Sequence, residues 1–356
     1  MSEIHIRPII QNLPGYKAGA RASAVDGLVP YKLSSNENPF NPLPSVVEAI
    51  AQAGQDVHRY PDPAVTELVS RIAQFCEVPE SMVATGTGSV GVCQQIVQAL
   101  CDAGDEVLFA WRSFEAYPII TAIAGARSVQ VPLKDAGEHD LTAMLTAITE
   151  KTRVIFICTP NNPTGRIVHH EDLVRFLQHV PPHILVVVDE AYIEFNRDER
   201  AVDGKRILKE FNNVGLLRTF SKAYGLAGLR VGYFVGPEVV VQAVRKTAVP
   251  FGVSNIAQVA AIASLDHQDE LLSRVDELVQ LRTWFEEQLR TLGFQLPDSQ
   301  ANFVWLALGE HASDFAAQCN EVAVAVRVFP NEGVRISIGE REALERVIQI
   351  AQSFAQ

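Results

Sequence analysis

Three polar clusters in this chain each follow directly on a short apolar run, and they hold side chains able to do covalent and proton-transfer chemistry. Thr159-Pro160-Asn161-Asn162-Pro163-Thr164-Gly165 follows the run ending at Cys158, and Asp189-Glu190-Ala191-Tyr192 follows the run ending at Val188. Thr219-Phe220-Ser221-Lys222 follows Val214 to Arg218, with Gly225-Leu226-Ala227-Gly228-Leu229-Arg230 behind it. A lysine buried near other cations has a lowered pKa and becomes nucleophilic, and its amine then serves as general base and acid. Lys222 is the candidate for that role. A fourth stretch, Thr85-Gly86-Thr87-Gly88-Ser89-Val90-Gly91, lies between a short apolar run and a helical pattern continuing to Leu100. A helix N-terminus with glycines offers free N–H groups and a favourable dipole to an anion.

Other chemistries fit less well. The fourth stretch also satisfies G-x-G-x-x-G, but a dinucleotide site expects an acid at the end of the next strand, where Trp111-Arg112 stand. A serine hydrolase needs G-x-S-x-G, and Thr87 occupies the first glycine position before Ser89. No G-x-x-x-x-G-K-[ST] is present. His169-His170 resembles a metal-ligand pair, but adjacent side chains on a helix point apart, and a helix-terminal or solvated pair is the better expectation. Five scattered cysteines make no C-x-x-C, so neither a disulfide framework nor a cysteine zinc site is supported, and no metal is expected. A net charge of −12 argues against nucleic acid, since phosphate neutralisation needs clustered Lys and Arg. With no apolar run of spanning length and no signal-like start, a soluble cytoplasmic protein is the expectation.

The elements that must position these clusters follow from hydrophobic patterning. Val107–Ala110, Val154–Cys158, Ile184–Val188 and Val231–Val235 read as strands buried on both faces, with helical segments such as Glu171 to Val180 between them. That alternation is the α/β pattern with a mostly parallel sheet, whose ligand crevice lies outside the carboxyl ends of the strands, so the clusters should converge there. After Pro250 the pattern changes. Leu271, Val275, Leu278, Phe285, Leu289 and Leu292 form one helical stripe with Gly293 as its stop, and strands are expected at Phe303–Leu306 and Val334–Ile338 before a closing helix from Glu342 to Phe354. The expected division is residues 1–40 as an arm joined to the small domain, 41–250 as the large domain and 251–356 as a small α+β domain.

In their order and spacing these motifs resemble the fold-type I pyridoxal-phosphate aminotransferases, specifically the histidinol-phosphate and aromatic aminotransferase branch. The resemblance runs from Ser35-Asn36-Glu37-Asn38-Pro39 through His58-Arg59-Tyr60-Pro61-Asp62 to Gly333-Val334-Arg335-Ile336-Ser337. It implies a large domain with a mostly parallel seven-stranded sheet and pyridoxal 5'-phosphate as cofactor. That cofactor needs a lysine for its aldehyde, an acid at its ring nitrogen, donors at its phenolic oxygen and an anion cradle. Lys222 supplies the amine. Asp189 would hold the ring nitrogen protonated, although an aspartate at a strand end also commonly caps a helix. The resemblance places Tyr192 and Asn162 at the phenolic oxygen, where an Asn-Pro turn is the alternative for Asn162. It places Gly88, Ser89, Val90, Thr219, Ser221 and Arg230 around the phosphate, and brings Tyr60 from the neighbouring copy of an obligate homodimer. Phe114 would stack on the ring, or belong to ordinary aromatic core.

On the substrate side, Arg335 resembles the arginine that pairs with the substrate's anionic group. Arg327 is a weaker second candidate, with a solvated surface position the stronger expectation, and Tyr16 and Asn36 complete the set. The implied reaction passes an amino group from a donor to a 2-oxo acid such as 2-oxoglutarate. Val90 and the Trp111 to Tyr117 stretch look more like the aromatic branch than the histidinol-phosphate one, so aromatic amino acids are favoured, with histidinol phosphate the alternative. A non-catalytic binding module on the same fold would be expected to lose Lys222 or Asp189, and both are present.

Overall fold

The computed structural model describes residues 4–355. Eleven strands form two sheets: β1 (Tyr31–Leu33), β2 (Val83–Gly86), β3 (Glu106–Trp111), β4 (Arg127–Pro132), β5 (Thr152–Cys158), β6 (Leu185–Asp189), β7 (Val214–Thr219), β8 (Gly232–Val235), β9 (Phe303–Leu306), β10 (Val324–Phe329) and β11 (Gly333–Ser337). The larger sheet has seven strands in the order β2-β8-β7-β6-β5-β3-β4. Every residue of β6 and nearly every residue of β3 and β5 is buried, as their runs of Val, Ile, Leu and Phe require of strands covered on both faces.

Strand direction decides where the polar clusters meet. β4, β3, β5, β6 and β7 run parallel in successive pairs. The apolar run at Val231–Val235 reads like the others in sequence, but β8 is antiparallel to both β7 and β2. Two reversals restore direction, so β2 again runs with β7. The ends of β2, β5, β6 and β7 therefore open on one edge. The helix Gly88–Leu100 starts just beyond β2 at that edge.

The smaller sheet has the order β1-β10-β11-β9. β1 belongs to the N-terminal arm and pairs parallel with β10, Tyr31 opposite Val324. The sequence suggests no strand in the arm, because three residues are too few to show a period of two. β10 also escapes the pattern reading, although its alternating valines carry the signal. Pairing β1 into this sheet delivers Ser34 to Glu37 to the mouth of the larger one. The long helix Gln268–Thr291 buries Leu271, Val275, Leu278, Phe285 and Leu289. The gap in that stripe is filled by Arg282, which is buried and donates to the carbonyl oxygens of Ala301 at 2.8 Å and Phe195 at 3.3 Å. Gly293 has φ +95°, as a stop at that point requires. The closing helix runs from Arg341 to Gln352.

Candidate active site

The strand ends and the arm enclose a cavity of about 280 Å³. Lys222, three residues past β7, is half-buried in its wall, with Nζ 3.4 Å from the Ser35 carbonyl oxygen and 5.8 Å from the centre of the Tyr192 ring. Desolvation in the cavity, reinforced by Arg335 and Arg230, lowers its pKa from 10.5 to about 7. A substantial fraction of the amine is therefore neutral, hence nucleophilic, near neutral pH.

Asp189 ends β6 on the same wall and is 2% exposed. Burial raises its pKa to about 6, opposed by the hydroxyl of Tyr117, which donates to Oδ2 at 2.5 Å, and by the Ala191 N–H, which donates to Oδ1 at 3.2 Å. Among the described residues no lysine or arginine forms an ion pair with it. A buried carboxylate held by neutral donors alone suits a cation or N–H arriving from the cavity. In the sequence Tyr117 stands only as the end of an aromatic stretch, with nothing to tie it to Asp189. The spacing that makes Tyr117 stack on Phe156 at 4.5 Å, and so reach the next strand end, is visible only in three dimensions.

Opposite lies an anion cradle. Gly88 opens its helix with φ +76°, and a Cβ there would stand 2.5 Å from a guanidinium nitrogen of Arg230, so only glycine fits. Ser89, Val90, Thr219, Ser221 and Arg230 line the cavity beside it. Thr219 donates to Ser221 Oγ at 2.9 Å, and Arg230 Nη1 lies 3.4 Å from the same oxygen. Arg230 has no carboxylate partner among the described residues. Free helical N–H groups, three hydroxyls and an unpaired guanidinium match a phosphate.

The third wall carries Arg335, 7% exposed in the middle of β11. Its Nη1 donates to Asn162 Oδ1 at 2.5 Å and its Nη2 to the Ser34 carbonyl oxygen at 2.9 Å, while Nε is buried without a partner. No acid neutralises it among the described residues, which leaves its charge for an anion in the cavity. With Oδ1 engaged by Arg335, Asn162 keeps its amide N–H groups to donate. Tyr192 accepts from Asn36 Nδ2 at 3.0 Å, so its own proton remains to be given, and burial pushes its pKa well up. Asn36 itself is pinned by Ser337, whose hydroxyl donates to Asn36 Oδ1 at 2.7 Å.

Most of the expected residues thus converge. Phe114 and Tyr16 also line the cavity, Tyr16 from the arm of the same chain and 58% exposed. Arg327 corrects an expectation. It is not a solvated surface residue, because its guanidinium turns into the cavity wall and pairs with Glu115 at 2.6 Å. Tyr60 lies outside this cavity, 82% exposed and stacked on Phe251 at 4.6 Å. Of the two adjacent histidines, His169 stands at a helix start and contacts Asp172 at 3.6 Å. His170 is buried rather than solvated and accepts from the Asp203 N–H at 3.2 Å.

Known proteins resemble this chain along nearly its whole length. The family model for aminotransferase class I and II matches residues 30–350. An aromatic amino acid aminotransferase of Streptomyces coelicolor is 55% identical over 349 residues, covering 98% of this chain and 97% of that one. One of Thermobifida fusca with the same description is 49% identical over 350 residues, covering 98% and 97%. Among solved structures, the histidinol-phosphate aminotransferase of Sinorhizobium meliloti in complex with pyridoxal-5'-phosphate superposes with a TM-score of 0.86 at 29% identity, covering 99% of each chain. The family match takes in the cavity wall from Ser34 to Arg335, and this chain belongs to the class I and II aminotransferases.

Proposed function

We propose that this enzyme transfers the amino group of aromatic amino acids to 2-oxoglutarate with pyridoxal 5'-phosphate, working as a cytoplasmic homodimer. One observation carries the reading. A single cavity holds a lysine whose pKa is lowered to about 7 and, with no ion-pair partner among the described residues, a buried carboxylate and a buried arginine. The relatives at 49–55% identity described as aromatic amino acid aminotransferases support the aromatic substrate. The histidinol-phosphate neighbour stands further off, at 29%.

The residues present fit the cofactor. Asp189 offers its unpaired carboxylate to a ring N–H⁺, and the cradle of Gly88, Ser89, Val90, Thr219, Ser221 and Arg230 offers its donors to the phosphate. Tyr192 and Asn162 have hydrogens to give to a phenolic oxygen, and Phe114 has a ring face to offer beside them. When bound, pyridoxal phosphate supplies an aldehyde carbon for amino groups and a ring that withdraws electrons from the substrate's α-carbon. Lys222 would anchor the cofactor through its amine, and that amine, when free, would serve as the base and acid that moves the proton of the substrate's α-carbon. Arg335 binds the substrate carboxylate and fixes which bond faces Lys222. Asn36 orients Tyr192, and Tyr16 closes the mouth from the arm.

Tyr60 is assigned to the cavity of the second copy. Its exposure, together with that of Val249 (71%) and Phe251 (42%), supports a covered surface there. The proposed division places residues 41–250 in the cofactor-holding unit, with 1–40 and 251–356 in the smaller one.

Arg335→Ala is expected to raise KM for the amino donor roughly 10²-fold, the range for hydrogen bonds to a charged group, with a smaller loss of kcat. Steady-state kinetics on cofactor-loaded enzyme checks this, and an unchanged KM removes Arg335 from the substrate site. The reading as a whole is tested by kcat/KM for phenylalanine and for histidinol phosphate, side by side, with 2-oxoglutarate as acceptor. Phenylalanine should be preferred, in a preparation whose solution mass is that of two chains. Preference for histidinol phosphate would keep the fold, cofactor and lysine chemistry and overturn the aromatic assignment.

A further inference from the structure

Arg327 and Arg335 stand directly opposite each other on the antiparallel strands β10 and β11, and both line the cavity. Two guanidinium groups side by side on one face, in a partly desolvated wall, match the geometry and charge of a phosphate monoester dianion. In this chain only one of the two is available. Arg335 has no acid partner among the described residues, whereas Arg327 Nη2 donates to Glu115 Oε2 at 2.6 Å and its Nη1 to the Ala18 carbonyl oxygen at 3.3 Å. The pair is largely shielded from water, with side-chain exposures of 12% for Arg327 and 30% for Glu115. Glu115 reaches it from the loop after β3, next to Phe114.

We propose that Glu115 is a specificity-determining residue: by pairing with Arg327 it cancels the second cation of an arginine pair, so the cavity takes amino donors that bring a single carboxylate to Arg335 and rejects those that bring a phosphate in its place. The inference rests on the aminotransferase reading above and deepens it. A phosphate entering beside Arg335 must either displace Glu115 from Arg327 or sit against its carboxylate, and like charges at close range in a desolvated site are strongly unfavourable. The α-carboxylate that an amino acid or a 2-oxo acid brings to Arg335 needs one guanidinium only, and being singly charged it meets the same repulsion with about half the charge, so its penalty is smaller. Rejection of the wrong anion here comes from a repulsive element rather than from a better fit to the right one.

The test is Glu115→Gln in the cofactor-loaded enzyme, reading kcat/KM for histidinol phosphate and for phenylalanine with one acceptor. The ratio of the first to the second should rise about tenfold or more, the scale of a close charge contact removed from a partly buried site. Adding Arg327→Gln should return the ratio to the wild-type value or below it, since the gain depends on the freed guanidinium. A ratio within twofold of wild type in Glu115→Gln, or a rise that survives loss of Arg327, overturns the proposal. Glu115→Ala is read in the same way if the glutamine variant does not load cofactor. The wild-type preference tests the aromatic assignment separately, because the change in ratio on substitution is readable whichever substrate the wild type prefers.

Discussion

Replacing Lys222 with alanine should lower kcat by about 10⁴-fold or more, since it removes the group proposed as both covalent anchor and proton carrier. The same change should erase the absorbance band that the cofactor shows while bonded to the lysine, and leave the protein folded. The structural loss is small. Among the described residues the only hydrogen bond from Nζ is a 3.4 Å contact to a carbonyl oxygen, and no carboxylate there loses an ion-pair partner. Stability should in fact improve, with a definite pH dependence. The lysine pKa is about 7 in the folded chain against an ordinary 10.5, so between those values the unfolded chain holds the extra proton. The cost of keeping the cation in the cavity is therefore full below pH 7 and fades as the pH rises toward 10.5. The cofactor-free Lys222→Ala protein is expected to melt above the cofactor-free wild type below pH 7, with the gap closing at alkaline pH. Turnover by the alanine variant would remove Lys222 from the mechanism. A melting difference independent of pH would show that the amine is not desolvated.

Asp189→Asn should be the next most damaging change, costing kcat on the order of 10²–10³-fold, as loss of a preorganised charge at a reacting centre does. An amide is close in shape and still accepts from Tyr117, so packing is retained, but it cannot keep a proton on a ring nitrogen facing it. Electron withdrawal from the substrate carbon then weakens while substrate binding does not. KM should move little, cofactor affinity should fall, and the bound cofactor's absorbance should take the form of the unprotonated ring. Equal losses in kcat and in thermal stability would instead point to a helix-capping or packing role. Tyr117 is buried behind Asp189 and, unlike it, is not part of the cavity wall. Its donated hydrogen bond opposes the effect of burial and keeps the carboxylate ionised to a lower pH than burial alone would allow.

Much of this site is legible before folding is considered. Strands buried on both faces announce themselves as runs of Val, Ile, Leu and Phe, and the polar residues that interrupt such a run at its end are already positioned by it. That is why Lys222, Asp189 and Asn162 can be read from their place behind Val214–Arg218, Ile184–Val188 and Val154–Cys158. The glycine at position 88 is legible for a similar reason, because a helix start that must approach an anion and an arginine closely admits no Cβ. The helical stripe from Leu271 to Leu292 identifies its helix, but the pattern skips Arg282. A buried cation satisfied by two carbonyl oxygens has no signature in hydrophobic periodicity.

The sequence by itself therefore determined the strand cores, the edge of the sheet on which the polar clusters converge, and the lysine, carboxylate and glycine-opened helix start that line one cavity there. Tertiary structure alone decided three further things. It set the direction of β8, because a run of apolar residues records that both faces are covered and says nothing of which way the chain passes between them. It placed the arm in the smaller sheet through the β1–β10 pairing, which three residues cannot encode as a period. It also decided the charge state of the cavity wall. Arg327 reads as a surface residue until the pairing of β10 with β11 sets it opposite Arg335 and the loop after β3 brings Glu115, 212 positions away, to within 2.6 Å. Local patterning reports how much water each segment sees. Which charges cancel depends on contacts between segments far apart in the chain, and those exist only once the sheets have assembled.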